Sequence, residues 1–357
     1  METTFRLARF AGTHLRVPIR TALLPLLSLL LIAALLLAVG IGAVAVPPGT
    51  VVAILLDRLG ITLDIAITQQ QQAILWVIRL PRVLMGGLVG AGLATAGALL
   101  QGVFRNPLAD PGLIGVSSGA ALGAVAVIVI GFAPLGIFTL PVVAFIGGTC
   151  TTLLVYHLSQ RNGHTDIASM LLIGLALNAL AGAGTGLLTY LADEPQLRSI
   201  VFWTMGGLNG VLWEMTLGAA PCIVLALLLA PLLSRPLNLF ALGEAEARHL
   251  GVEVEQVKRR AVLLAALATG AAVAVAGPIG FVGLIVPHII RLVAGPDHRL
   301  LLPACALMGA TLLMLADLLA RTIAAPAEVP VGLITAFAGG PFFLALILRA
   351  RRQYGWS

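Results

Sequence analysis

Charged side chains are scarce in this chain. Only 10% of its 357 residues are Asp, Glu, Lys or Arg, and 59% are hydrophobic, whereas soluble domains carry roughly 25% charged residues. A water-soluble fold could not hide so much apolar surface, so the lipid bilayer is the expected solvent. The apolar runs are long and do not alternate with polar residues, which excludes a membrane β-barrel and predicts an all-α fold.

Lysine and cysteine are also rare. Lys258 is the only lysine among 21 basic residues, and the net charge is +6. The basic residues lie in short segments between apolar runs, a pattern typical of a membrane topology signal and not of nucleic-acid binding. Cys150, Cys222 and Cys305 stand far apart, without metal-ligand spacing. We therefore expect no metal site, no permanently bound cofactor and no nucleic-acid partner.

Long apolar runs mark the candidate membrane spans, since about 20 residues cross a bilayer. An uncharged stretch over 111–160 is too long for one span, and the Gly131–Gly136 segment divides it into two. Between 261 and 290, Gly277-Pro278 and Pro287 leave one full span and a short one near 283–294. The other candidates are 21–46, 83–104, 167–192, 215–234, 300–320 and 329–348.

The arginines at the two ends of the chain set the expected orientation. Both groups favour the cytoplasm, which requires an even number of spans, and ten spans satisfy this. We expect an all-α polytopic membrane protein of ten transmembrane helices with cytoplasmic N- and C-termini. A basic cytoplasmic segment (1–20) would precede two inverted five-helix halves, 21–210 and 211–357. The first half would include a short periplasmic helix that carries Trp203.

Two motifs are the most specific features of the sequence. One begins at Arg79-Leu80-Pro81-Arg82 and, after an uncharged segment, continues as Arg105-Asn106-Pro107-Leu108-Ala109-Asp110-Pro111-Gly112. The other is GPIGFVGLIVPHIIR at 277–291. From about Trp76 to Ala350 the chain resembles the FecCD/BtuC-type permeases, the membrane subunits of bacterial ABC importers for haem, ferric siderophores and cobalamin.

The resemblance implies an assembly in the bacterial inner membrane. A homodimer of this chain would bind two ATPase subunits and a periplasmic substrate-binding protein, and membrane lipid would surround it. The chain lacks the GxxxxGK[ST] phosphate-binding loop. We therefore expect ATP hydrolysis in a separate subunit and no enzymatic activity in this one.

Arginines expected on the periplasmic side oppose the usual charge rule. They are Arg58, Arg79, Arg82, Arg198 and Arg321. In the cobalamin-importer relatives, arginines at the positions of Arg79, Arg82 and Arg321 receive acidic residues of the binding protein, so the resemblance implies docking at these three. Contact with lipid headgroups is the alternative. Asp317 is spaced to pair with Arg321 across one helical turn.

The longest cytoplasmic loop contains ALGEAEARHLGV at 241–252, which reads as a short amphipathic helix stopped by Gly251. The family places its coupling helix here, seated in a cleft of the ATPase. The resemblance therefore implies contact through Gly243, Glu244, Ala247, Leu250 and Gly251. A solvated connecting helix is the alternative.

Two further positions resemble the family's cytoplasmic gate. Asn106, Pro107 and Leu108 close the cytoplasmic end of the second span, although Asn-Pro is also a common turn device. Thr165, which precedes the fifth span, is the candidate for a second gate layer.

The cargo is expected to be haem, because residues 177–206 resemble the haem-importing members most. Arg198 and Tyr190 are the candidates for the substrate path, and a guanidinium at Arg198 could pair with a haem propionate. Pairing of Arg198 with Asp193 or Glu194 is the alternative. A ferric siderophore or cobalamin as cargo remains open, and an ion-coupled secondary transporter is the rival class.

Overall fold

The computed structural model describes residues 3–42, 46–58, 60–61, 63–161 and 163–354. Within these ranges the chain is almost entirely helical, and one two-stranded antiparallel hairpin (Gln160–Arg161 with His164–Thr165) joins two of the helices. The helices are α1 (Thr3–Gly40), α2 (Pro48–Asp57), α3 (Gln69–Ala73), α4 (Leu80–Phe104), α5 (Val116–Ile130), α6 (Thr139–Leu158), α7 (Ile167–Leu191), α8 (Glu194–Met205), α9 (Trp213–Leu229), α10 (Ser234–Phe240), α11 (Glu244–His249), α12 (Val254–Ala276), α13 (Val282–Ala294), α14 (His298–Thr322) and α15 (Val331–Tyr354).

The described residues include 7 helical segments long and apolar enough to cross a membrane, and three shorter apolar helices at 116–130, 282–294 and 331–346. The division of 111–160 into two helices at Gly131 is confirmed, because Gly131 adopts a φ of 70° that ends α5. The short helix expected near 283–294 is α13.

Several boundaries differ from the prediction. The second span does not begin at 83: α3, a π-helical turn (Ile74–Arg79) and α4 form one helix from Gln69 to Phe104. The first helix starts well before residue 21 and ends at Gly40, and residues 43–45 of the predicted span lie outside the described residues. Helices α2 and α3 and the hairpin were not predicted.

Helix α4 forms the centre of the bundle. In the most apolar part of the helix from Gln69 to Phe104, 89% of the residues are buried, whereas 17% are buried in the corresponding part of α7. Glycines let other helices approach α4 closely: a Cβ on Gly90 would lie 2.1 Å from the carbonyl oxygen of Gly309 in α14, and one on Gly97 would lie 2.0 Å from that of Gly283 in α13. Small residues at such crossings are the usual means of packing helices in membranes.

The antiparallel pair α4 and α14 defines two ends of the bundle. At one end Gly102 lies beside His298, and at the other Arg82 contacts Asp317. Helix α8 follows α7 at the Asp317 end, and α11 precedes α12 at the His298 end. These are called the α8 end and the α11 end below.

Candidate functional sites at the two ends of the bundle

At the α8 end, two arginines bind the last carbonyl groups of α1. Arg79 donates from Nη1 to the oxygens of Val39 (2.9 Å) and Gly40 (3.0 Å). Arg321 donates from Nη2 to the oxygen of Ala38 at 2.8 Å. The last carbonyls of a helix have no partner within the helix, and they carry its negative dipole end. The guanidinium groups therefore anchor α1 to α4 and α14.

Arg82 is the centre of an ion-pair network beside this anchor. Its Nη2 lies 2.8 Å from Asp317 Oδ1 and its Nη1 lies 2.9 Å from Glu328 Oε2. It also donates from Nη2 to Asn209 Oδ1 at 3.0 Å. Asp317 bridges onward to Arg321, whose Nε is 3.1 Å from Oδ2. We call Arg82, Asn209, Asp317, Arg321 and Glu328 the outer network.

Docking of the binding protein at these arginines stays a prediction, but their side chains are engaged within the chain as folded here. Arg79 is 5% exposed, Arg82 is 6% exposed and Asp317 is 1% exposed. Charges this deeply buried require partners, and the partners of Arg82 lie 235 and 246 residues further along the chain, where sequence spacing gives no signal. The pairing of Asp317 with Arg321 is confirmed. Glu328 exposes 37% of its side chain, and Asn209 is exposed as well.

At the α11 end, the predicted helix at 241–252 is shorter than expected. Helix α11 covers only Glu244–His249, because Gly243 and Gly251 adopt φ values of 118° and 82° and close it at both sides. The amide of Gly251 bonds to Arg248 and that of Val252 bonds to Ala247, which is the Schellman arrangement.

The side chains of α11 divide between the bundle and the outside. Ala247 is fully buried, whereas Leu250 is 58% exposed and Leu242 is 62% exposed. Two exposed leucines therefore lie beside α11, and Ala247 is the residue of this helix that is buried against the bundle.

Lys258 joins three elements at this end. It lies in the first turns of α12, is 2% exposed and donates from Nζ to the carbonyl oxygen of Thr165 at 2.9 Å and to Glu244 Oε2 at 2.8 Å. Glu255 Oε1 lies 3.5 Å from the same ammonium, and Glu255 Oε2 accepts from the amide of Thr165 at 2.9 Å. We call these four residues the lysine cluster. Being the only lysine in the sequence was the signal that could have identified Lys258.

The predicted gate residues lie in two separate turns. Asn106 Oδ1 accepts from the amide of Leu108 at 2.9 Å, so Asn106-Pro107-Leu108 forms an exposed turn after α4. Thr165 is buried in the hairpin. No hydrogen bond or ion pair between described residues joins the two directly.

The segment after the Asn106 turn is tied to α7. Asn178 of α7 donates from Nδ2 to the oxygen of Gly112 at 3.0 Å and contacts Ser118 Oγ. Asp110 receives the amide of Gly112 at 2.8 Å, yet burial raises the pKa of its carboxyl.

The substrate-path candidates lie at the α8 end. Arg198 of α8 pairs with Glu194 one turn earlier, at 2.8 Å, and both side chains are exposed. This matches the alternative considered for Arg198. Tyr190, near the end of α7, is exposed. The described residues contain no group of three or more His, Cys, Asp and Glu side chains that could hold a metal ion.

One buried contact near the centre was not predicted. Gln101 of α4 donates from Nε2 to the oxygen of Gly283 at 3.0 Å and its Oε1 accepts from Arg291. Gln101 therefore joins α13 to α4 through two residues of the GPIGFVGLIVPHIIR motif, Gly283 and Arg291.

The sequence as a whole matches the FecCD transport family over residues 30–349. The chain belongs to the FecCD transport family. It is therefore a multi-pass transmembrane permease of the ABC importer class.

Relatives of this FecCD chain carry different cargo names. The Hemin transport system permease protein HmuU of Yersinia pestis is 52% identical over 283 residues, which cover 78% of this chain and 84% of the relative. The Cobalamin import system permease protein BtuC of Halobacterium salinarum is 45% identical over 291 residues, 80% of this chain and 76% of the relative. The Vitamin B12 import system permease protein BtuC of Escherichia coli O9:H4 is 42% identical over 291 residues, 80% of this chain and 86% of the relative.

A solved structure shares the fold. It is described as an inward-facing conformation of a metal-chelate type ABC transporter, it is 36% identical, and it superposes with a TM-score of 0.81 over 91% of this chain and 98% of that one. The agreement over nearly the full length of both chains means that the bundle described above is the family's fold and not a local similarity.

Proposed function

We propose that this FecCD permease moves haem across the bacterial inner membrane, after accepting it from a periplasmic binding protein. The observation that carries the cargo is the relative named for hemin transport, which is 52% identical, against 45% and 42% for the relatives named for cobalamin and vitamin B12. Cobalamin is the second candidate, because those two relatives cover as much of the chain.

The cargo can be tested by reconstituting the permease with its cognate ATPase and binding protein in proteoliposomes. We expect ATP-dependent uptake of haem and little uptake of cyanocobalamin or of a ferric siderophore. Arg198→Ala should slow haem uptake several-fold and leave the ATPase activity without haem unchanged, because a guanidinium can pair with a propionate. Uptake of either of the other cargoes in place of haem would refute the cargo and leave the permease assignment intact.

We propose a topology of ten spans for this chain, with both termini in the cytoplasm. The 7 long apolar helices and the three shorter ones support this number. Residues 1–20 would then be a cytoplasmic basic segment, followed by the inverted halves 21–210 and 211–357. The α8 end would face the periplasm and the α11 end the cytoplasm.

We propose that two copies of the chain form the permease, with two separate ATPase subunits that hydrolyse ATP. The outward face of α7 supports a second copy, because Gly182 and Gly186 have nothing within 4 Å of an added Cβ and so do not serve close packing within the chain. Between two such faces would lie the path, with Tyr190 and Arg198 at its mouth, and the Asn106 turn and Thr165 as its gate.

The exposed leucine beside α11 supports contact with the ATPase. Leu250→Glu should leave a folded permease that no longer retains the ATPase subunit, because an apolar contact in a cleft does not tolerate an unpaired charge. Copurification of the ATPase with the variant measures this directly. Arg299→Glu is a suitable control, since it changes the charge at the same end of the bundle but on another helix, α14. If Leu250→Glu retains the ATPase subunit as the parent protein does, Leu250 does not contribute to the ATPase contact.

We propose that docking of the binding protein takes place at the exposed edge of the outer network. Arg79, Arg82 and Arg321 are engaged within the chain, so an incoming carboxylate could reach Arg82 Nη1 only by replacing Glu328, whose side chain is partly exposed. Docking at these arginines would therefore be an exchange of carboxylates and not the filling of an empty site.

A further inference from the structure

Lys258 joins α11, α12 and the α6–α7 hairpin through polar contacts of one side chain. We propose that Lys258 is a positioning residue that makes α11 and the hairpin move as one body, so that displacement of α11 by the ATPase is passed to Thr165. The proposal rests on the proposed function, in which α11 contacts the ATPase and Thr165 belongs to the gate.

The geometry of the ammonium group suits this role. Lysine carries three donors on a compact head, and the head of Lys258 finds one acceptor on each element: the Thr165 oxygen in the hairpin at 2.9 Å, Glu244 in α11 at 2.8 Å and Glu255 in α12 at 3.5 Å. Because Lys258 is almost fully buried, water cannot replace a partner that moves away, so the three elements have to move together or leave a buried charge without its partner.

The hairpin is held through its backbone. Lys258 donates to the carbonyl oxygen of Thr165, and the amide of Thr165 donates to Glu255, both at 2.9 Å. The contact therefore fixes the position of the strand itself and does not depend on the threonine side chain. A second contact between α11 and the hairpin, Arg248 Nη2 to His164 Nδ1 at 3.4 Å, is exposed and is expected to add little.

The hairpin continues directly into α7. Asp166 begins this helix by accepting the amide of Ser169 at 2.9 Å, and the hydrogen bonds from Ser169 lower the pKa of its carboxyl. Three turns later Asn178 holds the oxygen of Gly112, next to the Asn106 turn. A displacement of Thr165 can therefore be transmitted through α7 to the Asn106 turn, the other part of the proposed gate.

The test compares Lys258→Met, which keeps length and apolar stem, with Lys258→Arg and Glu244→Gln, which breaks only the α11 contact. Spin labels at Glu246 and Gln160, both exposed, report the distance between α11 and the hairpin in a background in which Cys150 and Cys222 are replaced by serine. The distance distribution is recorded for the assembled complex without nucleotide and with trapped ATP. Haem transported per ATP hydrolysed is measured in proteoliposomes.

In the parent protein we expect one narrow distance that is the same in both nucleotide states. In Lys258→Met the distribution should broaden and differ between the states, and haem transported per ATP should fall at least tenfold while ATPase activity without haem stays within about twofold. In Glu244→Gln the distance distribution should broaden in the same way but less, and Lys258→Arg should be intermediate between the parent protein and Lys258→Met.

Unchanged distances and unchanged transport per ATP in Lys258→Met would overturn the proposal. If Lys258→Met does not fold, the distance distribution of Glu244→Gln decides. This variant is expected to fold, since the Glu244 carboxylate is partly exposed and its loss leaves Lys258 two partners. If the complex transports no haem, the proposed cargo fails, but the distance measurement still tests the link on its own.

Discussion

Replacing Gly90 with alanine should leave little folded permease. The new Cβ would lie 2.1 Å from the carbonyl oxygen of Gly309, and in the other direction a Cβ on Gly309 would lie 2.3 Å from that of Gly90. The obstacle is backbone in both helices, so no side chain can turn aside and α4 has to separate from α14. Overpacking of this kind costs about 3 kcal/mol, and the yield of monodisperse protein after detergent extraction and its thermal midpoint should both fall.

Gly92→Ala is the matched control for this prediction. It adds the same methyl group to the same helix, but there the nearest atom is Ile223 Cγ2 at 3.2 Å, in a side chain that can move. We expect Gly92→Ala to behave nearly as the parent protein does. Equal thermal midpoints for the two variants would show that the α4–α14 crossing is not as close as described.

Asp317→Asn should produce the second large loss of stability. The change keeps the shape of the side chain, and among the described residues it leaves Glu328 as the one carboxylate near the guanidinium groups of Arg82 and Arg321. Removing one partner of a buried ion pair costs about 3–5 kcal/mol. The thermal midpoint of the purified permease and its resistance to protease should drop accordingly.

Two comparisons separate charge balance from simple packing. Glu328→Gln removes the partly exposed carboxylate of the same network and should cost about 1 kcal/mol or less. Adding Arg321→Gln to Asp317→Asn removes one of the two uncompensated arginines, so the double variant should regain part of the lost stability. A stable Asp317→Asn single variant would contradict the importance of the outer network.

Helices set by composition and by local breaks could be read from the sequence. The uncharged runs identified the long helices, Gly131 ended α5 as expected, and the break at Gly277 separated α12 from α13. The break predicted at Pro287 was wrong, because this proline lies inside α13. These features depend on local chemistry: apolar length decides where a chain can cross lipid, and a glycine with positive φ decides where a helix ends. The pairing of Asp317 with Arg321 was predictable for the same reason, because one helical turn separates them.

Contacts between distant segments could not be read in this way. Nothing in the spacing of Arg82, Asp317 and Glu328 shows that they meet, so the burial of Arg79 and Arg82 within the chain was not predicted. The length of α11 was overestimated because the glycine at its start, Gly243, was not recognised as a second helix breaker. The hairpin was missed because two residues per strand give no alternation. It is held by Glu255 and Lys258, which are 90 and 93 positions away from Thr165.

The anchoring of α1 has a consequence for the order in which the protein is made. Arg79, the partner of Val39 and Gly40, is synthesised 39 to 40 residues after them, whereas Arg321, the partner of Ala38, comes 283 residues later. At a synthesis rate of roughly 5–20 residues per second, Arg79 becomes available within about 2–8 s and Arg321 only after about 14–57 s. The first helix can therefore form its contacts with Arg79 early, but its contact with Arg321 forms only after α14 has been synthesised.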